Sequence, residues 1–211
     1  MIRNSNSVMI LDRASGEPVP ATIFEGFSEL NMTDYENLWK PMLEKADREA
    51  RDLQLQGEEY NFVEDEHWDW RDKLKRTKSA SLSYKHFTVE CDGKTQGMMQ
   101  LNLTIHRSWE NSSWNIVYVD YLAVAPWNRA TIVEQPKYKG IGSVLLGQAM
   151  GASILESFKG RIGLHSLLDA REWYKKMGLK AYGLDSQVEN LEYFEMNEQG
   201  AAKFLGELAL N

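Results

Sequence analysis

Two short apolar runs open the chain, VMILD at 8–12 and VPATIF at 19–24, with Ser15, Gly16 and Glu17 between them. Such runs around a turn cluster predict a pair of strands. Pro18 and Pro20 lack the N–H that a ladder needs, which predicts an edge position for the second strand. Over 33–55 the period changes, and Leu38, Met42, Leu43, Ala46 and Ala50 keep helical spacing. Thr33 followed by Glu36 predicts a capping box at the helix start, and Pro41 a division into two helices. The stretch 64–78 has acid at its front and base at its rear, the order a helix dipole favours.

From Ser83 the rhythm is that of strands. KHFTVEC and GMMQLNLTI, separated by Asp92 and Gly93, predict an antiparallel hairpin. NIVYVDYLAVA at 115–125 is the longest apolar strand. A glycine-bearing loop follows, then a helix over 143–157 and a strand over 161–167. A short helix at 170–177, strands at 179–183 and 191–196, and a helix at 198–209 complete the order. Hairpins flanking a βαβ unit predict an α+β fold around one central sheet. The chain is expected to form one domain, with N-terminal strands and helices over 1–82, a core region over 83–196 and a C-terminal helix over 197–211.

Composition narrows the classes. Of 211 residues, 43% are hydrophobic and 26% charged, enough apolar material for a sizeable core. No apolar run approaches the ~20 residues that span a bilayer. The first residues lack a basic segment followed by a long apolar one, so a cytoplasmic protein is expected, with no membrane partner. The lone Cys91 excludes an internal disulfide. A net charge of -7 disfavours nucleic acid as a partner and favours a cationic one, such as an amine.

Candidate chemistry gathers between 115 and 195. After the strand ending near Pro126, a loop carries Lys137, Lys139, Gly140 and Gly142 just before a helix. A helix N-terminus has unpaired N–H groups, and glycines allow a ligand close to them, so the loop suits phosphate. The plainer reading is that the glycines only pack a strand against a helix. Asp120 interrupts an apolar strand, where an unpaired carboxylate is costly. It either pairs with a cation, faces solvent, or takes a proton from an attacking amine. His165 lies on the strand after the helix and is read as a satisfied strand histidine, with proton shuttling as its other use. His67, His86 and His106 are scattered, and no spacing suggests a metal. Trp68 and Trp70, in the acidic EHWDW, are read as core anchors or as a pocket for a cation.

Strand, loop and helix together resemble motif A of the GNAT superfamily, whose pattern is Gln/Arg-x-x-Gly-x-Gly/Ala. Here it reads Lys137-Tyr138-Lys139-Gly140-Ile141-Gly142, with Lys at the first position and a longer passage over 127–137 after the proline. GLHSLLDAREWYKKMGLKAYG resembles motif B, with Asp169, Ala170, Tyr174, Gly178 and Leu179 at the family's spacing. The resemblance covers roughly residues 83–196. It implies a mixed central sheet flanked by helices, splayed between the family's fourth and fifth strands, here 115–125 and 161–167. It implies acetyl-CoA as acyl donor and no metal. The pantetheine arm would pair with the main chain of Leu122, Ala123 and Val124, and residues from Lys137 to Ser143 would hold the pyrophosphate. An amine, on a small molecule or a protein, would attack the thioester, Asp120 taking a proton and Tyr174 giving one to the thiolate. Residues 25–80 and the 127–137 passage would face the substrate, and two chains would pair as a homodimer. The alternative is a sensor or interaction protein that binds coenzyme A without turnover. A toxin acting on aminoacyl-tRNA is disfavoured by the acidic charge, and a nucleotide-binding protein by the absence of a full P-loop or dinucleotide fingerprint.

Overall fold

The computed structural model describes residues 3–58, 63–80 and 82–209. Among the described residues, nine strands hydrogen-bond in the order β6-β1-β2-β3-β4-β5-β7-β9-β8: β1 (Ser5–Asp12), β2 (Pro18–Glu25), β3 (Tyr84–Cys91), β4 (Lys94–Arg107), β5 (Asn115–Val124), β6 (Tyr138–Lys139), β7 (Ile162–Ser166), β8 (Lys180–Asp185) and β9 (Leu191–Met196). The sheet is mixed, with β5 and β7 parallel and β7–β9, β8–β9, β1–β2 and β1–β6 antiparallel. The α-helices among the described residues are α1 (Glu29–Asp34), α2 (Lys40–Gln56), α3 (Trp70–Thr77), α4 (Ile141–Leu155), α5 (Arg171–Lys176) and α6 (Glu198–Ala209). The fold is α+β, and it divides into two compact units.

The first unit is Met1–Ser79, Thr88–Gly97 and Ala123–Ile141. Here β2 lies between β1 and β3 and is not an edge strand. Both prolines occupy its opening residues, where few rungs are lost, and the Pro20 carbonyl accepts a 3.6 Å contact from the buried Cys91 thiol. The helical arm starts earlier than expected. Ser28 caps α1, its N–H donating to Asn31 Oδ1 at 2.7 Å while its Oγ accepts from Asn31 N–H, and Thr33 lies inside the helix. Pro41 does not divide the arm. It cannot donate to the carbonyl four residues back, and a wider π-helical turn over Tyr35–Trp39 precedes it, Lys40 N–H reaching the Tyr35 carbonyl. The acidic stretch after 63 forms turns, and the α-helix is confined to Trp70–Thr77, capped by Asp69 and followed by a 3-10 turn over Lys78–Ala80.

Trp39 and Trp70 are fully buried. The Trp39 indole donates to the Thr95 carbonyl at 3.2 Å and meets Trp127 edge-on at 6.3 Å. Trp70 is thus a core anchor, and the Trp68 ring already carries the Lys73 ammonium at 4.9 Å. Four residues of the expected substrate-facing stretch 25–80, namely 59–62, lie outside the described residues. So do residues 210 and 211 of the expected C-terminal segment 197–211.

The second unit is Ala80–Phe87, Met98–Leu122 and Gly142–Asn211. Met98, Met99 and Leu101 of β4, Ile116 and Val117 of β5, Leu145, Leu146 and Met150 of α4, and Phe194 of β9 form its core. Apolar on nearly every side, α4 is the buried helix of the βαβ unit. Asp92 and Gly93, both at positive φ, turn the β3–β4 hairpin as their sequence predicts.

Candidate active site

The parallel pairing of β5 with β7 is short. It joins Val117 to Ile162 and Tyr118 to Gly163, with Val117 N–H donating to the Arg161 carbonyl at 3.1 Å. Beyond that rung β5 continues to Val124 and β7 to Ser166, and the β7 residues Leu164, His165 and Ser166 pair with β9 on the other side. The strands part at Tyr118, which is the splay that the motif resemblance implies. The pleat is also broken between Val117 and Ala125, the residue just past the end of β5. Val117 N–H points to the β7 side, while Ala125 N–H donates to the Gln96 carbonyl of β4 at 2.9 Å. An unbroken strand sends N–H groups an even number of residues apart to the same neighbour, so an irregularity of one residue lies between them. At the last rung, a Cβ on Gly163 would stand 2.4 Å from the Tyr193 hydroxyl, so the packing there has room only for hydrogen.

Two polar chains leave β5 where the strands part. Asp120, half-buried, accepts from the Gln100 amide at 2.9 Å, and the Gln100 carbonyl lies 3.1 Å from His86 Nε2. The other chain starts two residues earlier. The Tyr118 hydroxyl meets His165 Nδ1 at 2.5 Å, and His165 Nε2 meets Asp185 Oδ2 at 3.1 Å. Asp185 is itself held, its Oδ1 accepting from Gln187 N–H at 2.9 Å. Rings enclose this chain: His106 stacks on Tyr118 at 4.9 Å, and Tyr193 and Trp109 flank His165 at 4.9 and 6.4 Å. Burial, and then the charge of Asp120, push the Tyr118 phenol well above the usual tyrosine range. Burial pulls His165 below the usual histidine range, with Asp185 opposing. The His86 and His106 rings are lowered by burial too.

Tyr174 sits on α5, buried between Trp173 at 4.9 Å and Phe194 at 5.9 Å. Burial, and then Tyr118, raise its phenol, so it stays protonated across the physiological range. Gly178 at φ +90 ends the turn after it, in the left-handed conformation that favours glycine at a helix end. Leu122 and Val124 are half-buried and Ala123 is buried. The Val124 carbonyl accepts from Arg129 Nε at 2.8 Å, so it is already occupied. Arg129 also grips Asp65 through two bonds of 2.7 and 2.6 Å, which ties down the start of the 127–137 passage.

The residues from Lys137 to Ser143 divide by what they already bond. Lys137 N–H donates to the Trp127 carbonyl at 2.9 Å, and Tyr138 N–H to Asn128 Oδ1 at 2.9 Å. The Lys137 ammonium pairs with Asp92 at 3.0 Å, and Tyr138 and Asp92 hold it above the usual lysine range. The Tyr138 hydroxyl donates to Asp92 at 2.5 Å from a buried ring. These two residues therefore anchor β6. Lys139 is exposed opposite Leu11, Gly140 turns the chain at φ +99, and Ile141, Gly142 and Ser143 open α4. Gly142 has a packing reason of its own: a Cβ there would stand 2.9 Å from the Trp173 indole. Ser143 Oγ lies 3.5 Å from the Met177 sulfur.

Sequence reasoning singled out Asp120 and Tyr174 but passed over Tyr118, Gln100 and Asp185. The signal for Tyr118 was its place two residues before Asp120 on the same strand. Gln100 and Asp185 come from other strands, and no local spacing marks them. Among the described residues, no group of three or more His, Cys, Asp or Glu side chains is arranged for a metal ion, and no helix is long and apolar enough to cross a membrane.

No protein-family model and no curated protein matches this sequence. Solved structures do. A protein assigned to the acetyltransferases of the GNAT family, from Desulfovibrio desulfuricans, aligns with a TM-score of 0.50 at 12% identity, over 84% of this chain and 99% of that one. The PaiA N-acetyltransferase of Thermoplasma acidophilum, solved with coenzyme A, aligns at 0.47 and 14% identity, over 82% and 98% of the two chains. A bacterial toxin aligns at 0.49 and 14%, over 64% and 79%. At these identities the likeness is one of fold. The chain has the mixed, helix-flanked α+β fold of the GNAT acetyltransferases, in agreement with the motifs read from its sequence.

Proposed function

We propose that this protein is an N-acetyltransferase that moves the acetyl group of acetyl-CoA directly to a primary amine on a small molecule or a protein. The observation that carries this reading is the parting of β5 from β7 after Tyr118, with Asp120, two residues further along β5, held by Gln100. Strands that part expose main-chain N–H and C=O groups, and an extended pantetheine arm satisfies such groups as another strand would. On this reading the main-chain groups of Leu122, Ala123 and Val124 that face the opening receive the arm, the Val124 carbonyl also accepting from Arg129. Lys139, Gly140, Ile141, Gly142 and Ser143 serve the pyrophosphate through the opening amides of α4. Lys137 and Tyr138, bonded elsewhere, support the turn. Backbone N–H near Leu122 polarises the thioester carbonyl. The Asp120 carboxylate, directly or through a water, takes the proton the nitrogen loses on attack, and the protonated Tyr174 supplies one to the thiolate.

The test is calorimetric titration with acetyl-CoA, followed by thiol release in the presence of 1,4-diaminobutane, tyramine and a lysine-containing peptide. Binding with thiol release, lost in Asp120→Asn and slowed in Tyr174→Phe, is the expected result. Binding without release from any amine would favour a coenzyme A sensor. No binding by the folded protein would remove the transferase reading.

A further inference from the structure

We propose that His165, acting through Tyr118 and oriented by Asp185, is a proton relay that receives the first proton of the incoming ammonium acceptor. The proposal rests on the acetyl-transfer reading above and adds to it a route that its two residues do not supply. An ammonium must lose two protons to become an amide nitrogen, one before attack and one after. A single carboxylate at Asp120 accounts for one of them.

The direction of the relay follows from its ends. A carboxylate accepts and does not donate, so Asp185 Oδ2 receives the hydrogen on His165 Nε2 across 3.1 Å. A neutral imidazole has one hydrogen, so Nδ1 is then an acceptor, and the hydrogen in the 2.5 Å contact belongs to the Tyr118 hydroxyl. Donating inward leaves a lone pair of that phenol oxygen for an outside donor, beside the His165 main-chain N–H that also reaches it. His165 is kept neutral by burial, which is the form able to accept. Tyr118 stands at the rung where β5 and β7 part, two residues before Asp120. A buried structural histidine needs two partners, but it does not need them ordered toward an opening in the sheet.

The step balances. The ammonium nitrogen gives a proton to the Tyr118 oxygen while Tyr118 gives its own to His165 Nδ1, leaving a neutral amine and an imidazolium paired with Asp185. The amine attacks, the C–N bond forms and the C–S bond breaks. The second nitrogen proton goes to Asp120, and Tyr174 protonates the thiolate and is restored from Asp120 through solvent. His165 releases its proton to solvent. The sum is ammonium plus acetyl thioester giving amide, free thiol and one proton. In this scheme Tyr118 touches the acceptor, and His165 and Asp185 are positioning residues.

The groups facing His165 are Tyr118 from β5, Asp185 from β8, Tyr193 from β9 and Trp109 from the loop after β4, with Asp120 and the Tyr193-bonded Glu195 beyond. Because the relay needs neutral His165, kcat falls as pH falls through its ionisation, below the ordinary histidine value of 6.5. Asp185→Asn keeps the shape but lets the amide donate to Nε2, which moves the hydrogen to Nδ1 and turns the relay around.

The experiment combines two readouts. Nitrogen-15 NMR of the intact protein, with His165→Gln identifying the signal, should find the neutral Nε2–H tautomer in the wild type and the Nδ1–H form in Asp185→Asn. Thiol release from acetyl-CoA with the best of the three amines should fall about tenfold or more in kcat in both Tyr118→Phe and Asp185→Asn, with the acetyl-CoA Kd unchanged. The acid limb of the kcat profile should follow the His165 titration seen by NMR. An Nδ1–H tautomer in the wild type, or variants that transfer acetyl at the wild-type rate with the same acid limb, would overturn the relay while leaving the transferase. Failure to release thiol with every amine would overturn both.

Discussion

Two glycines of one loop have different reasons to be glycine, and a four-protein cycle separates them from any ligand. Gly140 adopts φ +99, and a Cβ placed on it meets nothing within 4 Å. Alanine there is strained by backbone alone, at about 1–3 kcal/mol. Gly142 is helical, so its backbone tolerates any residue, but its Cβ would lie 2.9 Å from Cζ2 and 3.1 Å from Cη2 of Trp173. Overpacking of this kind costs about 1–3 kcal/mol. Alanine regains up to about 1 kcal/mol of helix propensity, less in the first turn. Gly142→Ala should therefore destabilise by about 1–2 kcal/mol. Trp173→Phe removes the offending ring edge, so the double variant should be more stable than the sum of the single changes predicts, by about 1–2 kcal/mol. Urea unfolding of the four proteins measures the coupling. Acetyl-CoA calorimetry on the Trp173→Phe pair then tells whether the alanine methyl also meets a ligand. Additive stabilities would refute the packing argument. An affinity loss that persists once the indole is gone would mean that the cofactor occupies the space at Gly142.

Other consequences are open to direct measurement. Glu195 is buried and accepts from the Ser108 hydroxyl at 2.6 Å, the Trp109 N–H at 2.5 Å and the Tyr193 hydroxyl at 2.9 Å, so Glu195→Gln sets an amide against a donor and should lower unfolding stability by about 1–3 kcal/mol in a urea melt. Arg129→Lys loses the two-pronged grip on Asp65 and the bond to the Val124 carbonyl, and should cost about 1–3 kcal/mol, less than a fully buried pair because solvent reaches Arg129. His86, His106 and His165 all have folded-state values lowered by burial, so below the ordinary value of 6.5 the unfolded chain binds protons that the folded chain refuses. Stability should fall from pH 7.5 to pH 5.5 in denaturant titrations, and His86→Gln should flatten that slope. Asp92, held low by Tyr138 and then Lys137, works the opposite end: its contribution is present above its ordinary 3.8 and lost as pH falls further, so Asp92→Asn and wild type should converge in melting temperature in strong acid.

What sequence reasoning could reach follows from where the information lies. The β3–β4 hairpin, β5, β9 and α6 were legible because their period, turn residues or flanking polar residues sit inside a single window. The start of α1 was misplaced because two residues a helix start favours, Ser28 and Thr33, precede the same apolar stripe. Only the Ser28–Asn31 reciprocity in three dimensions decides between them. Pro41 was expected to break its helix because one proline removes one donor. The widened turn over Tyr35–Trp39 absorbs the loss, and sequence has no clear mark for it. The loop before α4 was read as one ligand-binding unit. Tyr138 turns out to be spoken for by Asn128 and Asp92, and Gly142 by Trp173, partners 10, 46 and 31 residues away.

The placement of polar groups in β5 is itself an argument about function. Stability alone favours apolar pairs on a strand with this much burial, since desolvating a polar chain is repaid only when every member is satisfied. Here two such chains leave neighbouring positions, Asp120 toward Gln100 and His86, and Tyr118 toward His165 and Asp185. They draw residues from β3, β4, β7 and β8, so four other strands carry polar groups that no local pattern requires. One Asp–Gln contact would read as a satisfied stray. The second chain starts at the last rung that β5 shares with β7, and the first starts two residues further along β5. The phenol has its own proton committed inward, and the carboxylate's Oδ2 is fixed by an amide. On the acetyl-transfer reading proposed above, the two groups would supply the two proton acceptors that converting an ammonium to an amide demands.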